Sequence, residues 1–229
     1  MDFFEQWGRN LENVLYIYYF LEEREDTIHT LGYGFPEQEE MVYRVLTHVE
    51  LERFIDCICR LKPKDHFEKS DVPVFSDFQK ASIRVPELLE FSPDGLGFDA
   101  LGYQLMHCQG KIAQKKYGEN QAKLAELLGL VSISVRKPRV VKLTSWGLYL
   151  IPVPWENKAS ILKRMTLRNA YIQFLIREAC KGSVNYRDTV DCLANSTVVR
   201  CRTNVRKLME FILKGSKRES MLKNIDWTV

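Results

Sequence analysis

Histidine is scarce in this chain, and cysteine is nowhere spaced to grip a metal. Four histidines are scattered over 229 residues, at positions 29, 48, 66 and 107. The six cysteines, at 57, 59, 108, 180, 192 and 201, include no C-x-x-C pair, the usual signature of structural zinc. Cys57-x-Cys59 with His48 upstream can be drawn as a metal site. Free cysteine more often behaves as a small buried hydrophobe, so these residues are expected as small hydrophobes on one helix, with no metal and no cofactor. No apolar run reaches the roughly 18 residues of a membrane span; the best, 14–21, is short and rich in tyrosine. There is no phosphate-cradling Gly-rich loop and no Gly-x-Ser-x-Gly elbow. The start, Met1-Asp2-Phe3-Phe4-Glu5, carries no basic n-region. Together these absences point to a cytoplasmic protein that does not span a membrane.

What is present is a core-forming composition with a lopsided charge. Hydrophobic residues make up 45% and charged residues 28%, enough for a packed interior. The net charge of +3 hides a strong gradient. Residues 1–60 hold 5 Lys/Arg and 13 Asp/Glu, and residues 61–100 hold 5 and 8. Residues 101–229 hold 23 and 9, a balance of +14. A basic half of this kind suits an anionic partner, nucleic acid above all, or else docks on the chain's own acidic half.

Periodicity predicts helices over about 3–25 and 36–60, acidic and amphipathic, which suit a scaffold or a homodimer surface. Pro63, Pro73, Pro86 and Pro93, followed by Gly95 and Gly97, make 62–97 the expected linker. Within it, 76–89 reads equally as a short helix or a strand. Helices are predicted over 98–109, 111–117 and 119–128, with Gly118 as a break and Gly129 as a C-cap. Residues 130–135 and 140–144 alternate like strands around a basic turn, Arg136-Lys137-Pro138-Arg139. Further helices are predicted over 156–165, 168–180, 186–193 and 197–214. The expected architecture is mainly α with a small β-hairpin, divided at 1–95, 96–155 and 156–229.

Two stretches resemble known DNA-binding families. Leu-Ala-Glu-Leu-Leu-Gly-Leu-Val at 124–131 runs into the hairpin, which closes on Lys-Leu-Thr-Ser-Trp-Gly-Leu-Tyr-Leu at 142–150. Three short helices and a hairpin in this order resemble the winged-helix family. The resemblance implies that Thr144 caps the next helix and that Gly147 permits close backbone packing. It also implies that Asn120, Gln121 and Lys123 lie on the exposed side of a recognition helix. Arg136, Lys137 and Arg139 would form the wing that reaches phosphates.

The stretch 188–200 resembles the second and third helices of a helix-turn-helix, with Asn195-Ser196 as the turn and Ser196 as N-cap. In the helix that follows, Val198, Cys201, Val205, Leu208 and Ile212 fall three or four apart and are expected in the core. Thr197, Arg200, Arg202, Asn204, Arg206 and Lys207 are then expected to face DNA. The combination is similar to accessory DNA-recognition domains of bacterial restriction or defence systems and to transcription regulators, so double-stranded DNA is the expected partner. A protein-interaction module built from the same helices is the alternative. A metal-dependent nuclease is the weaker one. Glu156-Asn157-Lys158 has the Glu-x-Lys form, with Asp94 upstream, but Pro152 and Pro154 spoil the strand such a site needs.

Overall fold

The computed structural model describes residues 51–60, 67–73, 76–106, 110–167 and 169–229. The expected helix 3–25, most of 36–60, the homodimer surface and all four histidines lie outside the described residues. The fold is mainly helical, with one small antiparallel sheet and one parallel pair of strands.

A first unit begins where the sequence left helix and strand undecided. Residues 78–90 are helical. Asp77 decides the matter, because its carboxylate accepts the Lys80 N–H at 3.0 Å and satisfies an orphan donor of the first turn. Lys80–Arg84 forms a π-helical stretch that gives way to α2 (Val85–Glu90) where Pro86 enters. A proline removes a helical hydrogen bond, and the widened turn just before it absorbs the mismatch. Gly95 then turns the chain with φ +83, and an added Cβ there would lie 2.5 Å from the Val141 carbonyl oxygen. The turn delivers β1 (Leu96–Gly97), which runs straight into α3 (Phe98–Met106).

The next helix, α4 (Lys111–Leu127), passes through Gly118 without a break. The predicted division there is corrected, and the reason is packing. A Cβ on Gly118 would lie 2.0 Å from the Phe98 carbonyl oxygen, and one on Gly102 would lie 1.8 Å from that of Gln114. The glycines let α3 and α4 run antiparallel with their backbones nearly touching. Gly129 ends α4 at φ +72, with the Leu130 N–H returning to Ala125 O at 2.9 Å, a C-cap of the expected kind. β2 (Val131–Ile133) and β3 (Val140–Leu143) follow, and β3 lies between β1 and β2. Leu96 pairs with Val141, and Val131 with Leu143. Thr144 caps α5 (Ser145–Leu150), accepting the Gly147 N–H at 3.0 Å and donating to Gly129 O at 2.7 Å. Gly147 sits so close to Leu130 that a Cβ would be 2.0 Å from its carbonyl oxygen.

The second unit holds α6 (Trp155–Thr166), α7 (Ala170–Lys181), β4 (Val184–Asn185), α8 (Tyr186–Thr189), α9 (Asn195–Leu213) and β5 (Ile225–Asp226). β4 and β5 pair in parallel. α8 is shorter than the predicted 186–193 because its end is locked inside. The Thr189 hydroxyl donates to Tyr186 O at 2.7 Å and faces the Tyr171 hydroxyl at 2.9 Å. In α9 the expected stripe of Val198, Cys201, Val205, Leu208 and Ile212 is buried.

The described start of the expected linker, up to Phe78, is a strap that joins the two units, and the rest of it belongs to the first unit. Phe67 packs on Tyr171 and Phe174 with ring centroids 4.9 and 5.1 Å apart. Asn169 caps α7 and donates to Asp71 O at 2.8 Å. Phe78 meets Phe211 at 4.6 Å. The buried side chains of both units form one continuous cluster. α1 (Leu51–Arg60) lies on α6 and α7. The expectation that the cysteines act only as small hydrophobes holds for buried Cys201 and fails for Cys59, which is disulfide-bonded to Cys180. No helix among the described residues is long and apolar enough to cross a membrane.

Candidate nucleic-acid interface

The hairpin between β2 and β3 is an exposed basic feature. Residues 134–139 are exposed throughout, and Val135 at the tip is 92% exposed. Ser134 shapes the tip. Its N–H donates to Val140 O at 2.9 Å, its hydroxyl accepts the Val140 N–H at 2.8 Å, and the same hydroxyl donates to Arg136 O at 3.2 Å. One serine thus completes the ladder where the backbone leaves it and anchors the loop. Arg136, Lys137 and Arg139 have no ion-pair partner among the described residues. The Arg139 charge acts on Glu126, whose carboxyl is nevertheless pushed up because burial outweighs the Ile133 N–H it accepts and the cations beside it. Lys142 is exposed on β3, opposite Ser132.

The α4 residues expected to face DNA do not form one outward set. Gln121 is fully buried. Its Oε1 accepts the Asp77 N–H at 3.0 Å, so it holds the start of helix 78–90 rather than a groove. Lys123 is engaged by Glu119 at 2.7 Å, and Lys116 reaches the same carboxylate at 3.1 Å. Burial would raise the Glu119 carboxyl, but its hydrogen bonds with Lys123 and Lys116 prevail and hold it low. Asn120 is half-buried. The outward face of α4 belongs instead to its first two turns, where Lys111 and Lys115 are exposed and Ile112 is 88% exposed. The sequence signal for this was the run Lys111 to Lys116, passed over because Gly118 read as a break.

On α9 the same sorting applies. Asn204 is 5% exposed and donates to Ser76 Oγ at 2.7 Å, so it fastens the strap and is unavailable to a duplex. Arg202 is half-buried and donates to Trp227 O at 3.2 Å. Arg206 pairs with Glu210 at 2.8 Å. Arg200 is exposed with its Nε donating to Ser196 O at 3.1 Å, and Lys207 is exposed. Ser196 is not the N-cap. The helix starts two residues earlier, with Ala194 O accepting the Thr197 and Val198 N–H groups. Asn195 instead accepts from the Arg187 guanidinium. Thr197 and Lys123 both line a cleft of about 890 Å³ between the end of α4, the start of α9 and the strap. Two residues expected on separate DNA-facing surfaces therefore share one recess between the units.

The Glu-x-Lys triplet lies in the first turns of α6, not on a strand. Lys158 is turned inward, donating to Ile151 O at 3.3 Å, and burial pushes its ammonium down against the opposing charge of Glu87. Among the described residues no group of His, Cys, Asp and Glu converges as a metal site would. Comparison with family models, with curated proteins and with solved structures yields no match to this chain.

Proposed function

We propose that this is a DNA-binding protein of winged-helix type that holds duplex through the basic hairpin, with the exposed face of α4 as reader. It would serve as a regulator or as an accessory factor of a restriction or defence system. One observation carries the reading. Arg136, Lys137 and Arg139 stand exposed, without an ion-pair partner among the described residues, on a hairpin braced by Ser134. Their charges are therefore free to displace counterions from a phosphate backbone. The helix, strand, helix, helix and hairpin order of residues 78–143 supports the type, because that order places a basic hairpin next to a helix able to enter a groove.

The test is a salt-dependent shift assay on duplex DNA. The parent should lose affinity steeply between roughly 50 and 200 mM salt. Replacing Arg136, Lys137 and Arg139 by alanine should lower the slope of log affinity against log salt by up to about 3. The loop is exposed, so circular dichroism should be unchanged. Parent-like binding by the triple variant excludes the hairpin as the contact. Failure of the parent to bind at about 50 mM salt transfers the assignment to a protein-interaction module. Exposed Leu148, Tyr149 and Trp155 around the α5–α6 connection favour that second reading, since grouped exposed apolar side chains mark protein contacts.

A further inference from the structure

α1 is the described end of the acidic part of the chain, and it rests on the second unit. Its Ile55 and Ile58 are buried, and its Asp56 pairs with the Arg218 guanidinium. Glu52 lies near enough to Arg164 and Lys163 to oppose the fall that burial imposes on their charges. In the last turn of the same helix Cys59 is bonded to Cys180, in the last turn of α7, across 121 residues of chain with Cα atoms 6.1 Å apart. Both cysteines are only partly buried, and Lys181 beside Cys180 is exposed, so the bond lies close to solvent. The buried side chain of Met221 brings its sulfur to 3.8 Å from that of Cys180.

We propose that the Cys59–Cys180 bond is a redox-responsive tether, closed by a small-molecule disulfide such as glutathione disulfide and opened by the matching thiol, that sets how firmly α1 is held on α7. The inference is independent of DNA binding. A bond between the last turns of two helices, half-buried at both cysteines, lies where exchange with a small thiol needs only local opening. The non-covalent contacts of α1 remain when it opens, so reduction loosens the helix without dismantling the unit. Closing a loop of this length constrains the chain strongly, so the bond matters most for the element it pins.

The exchange balances as follows. The thiolate of one cysteine attacks a sulfur of glutathione disulfide, forms a mixed disulfide and releases one glutathione thiolate. The thiolate of the second cysteine attacks the first cysteine's sulfur, forms the Cys59–Cys180 bond and releases the second glutathione thiolate. Two electrons pass from the cysteines to glutathione disulfide, and the two cysteine protons end on the glutathione thiolates.

The test uses the whole chain equilibrated in glutathione buffers from fully reduced to fully oxidised. Samples are trapped by acid quench and alkylation, mapped by peptide mass spectrometry, and followed by amide exchange. Cys59 and Cys180 should convert together from alkylated thiols to one cystine peptide as the oxidised share rises. Amides of residues 51–60 should be protected at least about tenfold more in the oxidised form. Cys59→Ser and Cys180→Ser should each exchange like the reduced parent in every buffer, and Cys192→Ser should behave like the parent. Thiols that stay free in glutathione disulfide alone would overturn the proposal, as would a bond that survives excess glutathione, which makes it a fixed staple. Equal exchange of residues 51–60 in both forms would overturn it too. Should a serine variant fail to fold, the mapping and exchange of the parent still decide.

Discussion

In the first unit Leu96–Gly97 leads straight into α3 and then α4, and in the second Val184–Asn185 leads straight into α8 and then α9. Each begins with a preceding helix, a two-residue strand, a helix and a longer helix. They part at the strand's partner. β1 joins antiparallel to β3, the return strand of a basic hairpin, while β4 pairs in parallel with β5 and no hairpin follows α9. The charges differ in the same sense. The hairpin leaves Arg136, Lys137 and Arg139 exposed and without an ion pair among the described residues, whereas the second unit commits Arg202 to Trp227, Arg206 to Glu210, Arg187 to Asn195 and Arg218 to Asp56. Similar formal charge in two stretches of sequence becomes available charge in one and structural charge in the other.

The largest effects should come from breaking each unit at its tightest point. Val205→Asp places a charge at a fully buried position of α9. It should cost about 4 kcal/mol or more, seen as a collapse of the urea midpoint. Gly118→Val drives a side chain into the Phe98 carbonyl, and should cost about 3 kcal/mol. Its damage should be greatest in amide exchange of residues 98–127. A near-neutral Gly118→Val would show that α3 and α4 are not in backbone contact and would return Gly118 to the role of a simple break.

A smaller effect tests whether the strap joins the units. Asn204→Ala removes the donor to Ser76 in a buried setting, and a loss of about 1–2 kcal/mol is expected. No loss in the urea midpoint would mean the strap is held by its apolar contacts alone. On DNA affinity, Arg206→Ala should change binding less than twofold, because Arg206 is already paired with Glu210. The hairpin variants should exceed it by at least about tenfold. Equal effects would erase the distinction drawn between the two units.

The smallest effect is electrostatic. The Glu178 carboxyl is held below its ordinary value first by the hydrogen bond from Lys181 and then by Arg177, although burial pushes it up. A depressed carboxyl stabilises the fold above its unfolded value and loses that contribution as pH falls through the folded one. Glu178→Gln should therefore cost at most about 1 kcal/mol at pH 7, and the gap to the parent should close below the ordinary value of 4.5. A gap that persists in acid would mean that Glu178 acts through packing and not through charge.

Elements whose signal is local were legible in the sequence. Gly129 announced the end of α4 because a left-handed C-cap favours glycine, and Thr144 announced α5 because a hydroxyl suits an N-cap. The buried stripe of α9 was legible from its spacing alone. Gly118 was misread because glycine that breaks a helix and glycine that lets another backbone approach look identical until the neighbour is known. The helix 78–90 stays undecided between helix and strand in the sequence because Pro86 within it counts against the cap that Asp77 supplies.

The sequence by itself determined the helical class, the hairpin, the apolar faces and the contrast between an acidic beginning and a basic end, since each is written in composition or in a period of two to four residues. Only the tertiary structure decided which polar residues remain free. Gln121 and Asn204 sit where helical spacing allows an outward face, yet one meets Asp77 across 44 residues and the other meets Ser76 across 128. Nothing in the sequence pairs Cys59 with Cys180 until α1 is laid on α7. Such pairings depend on which surfaces the fold brings together, and no local pattern encodes a partner that far away along the chain.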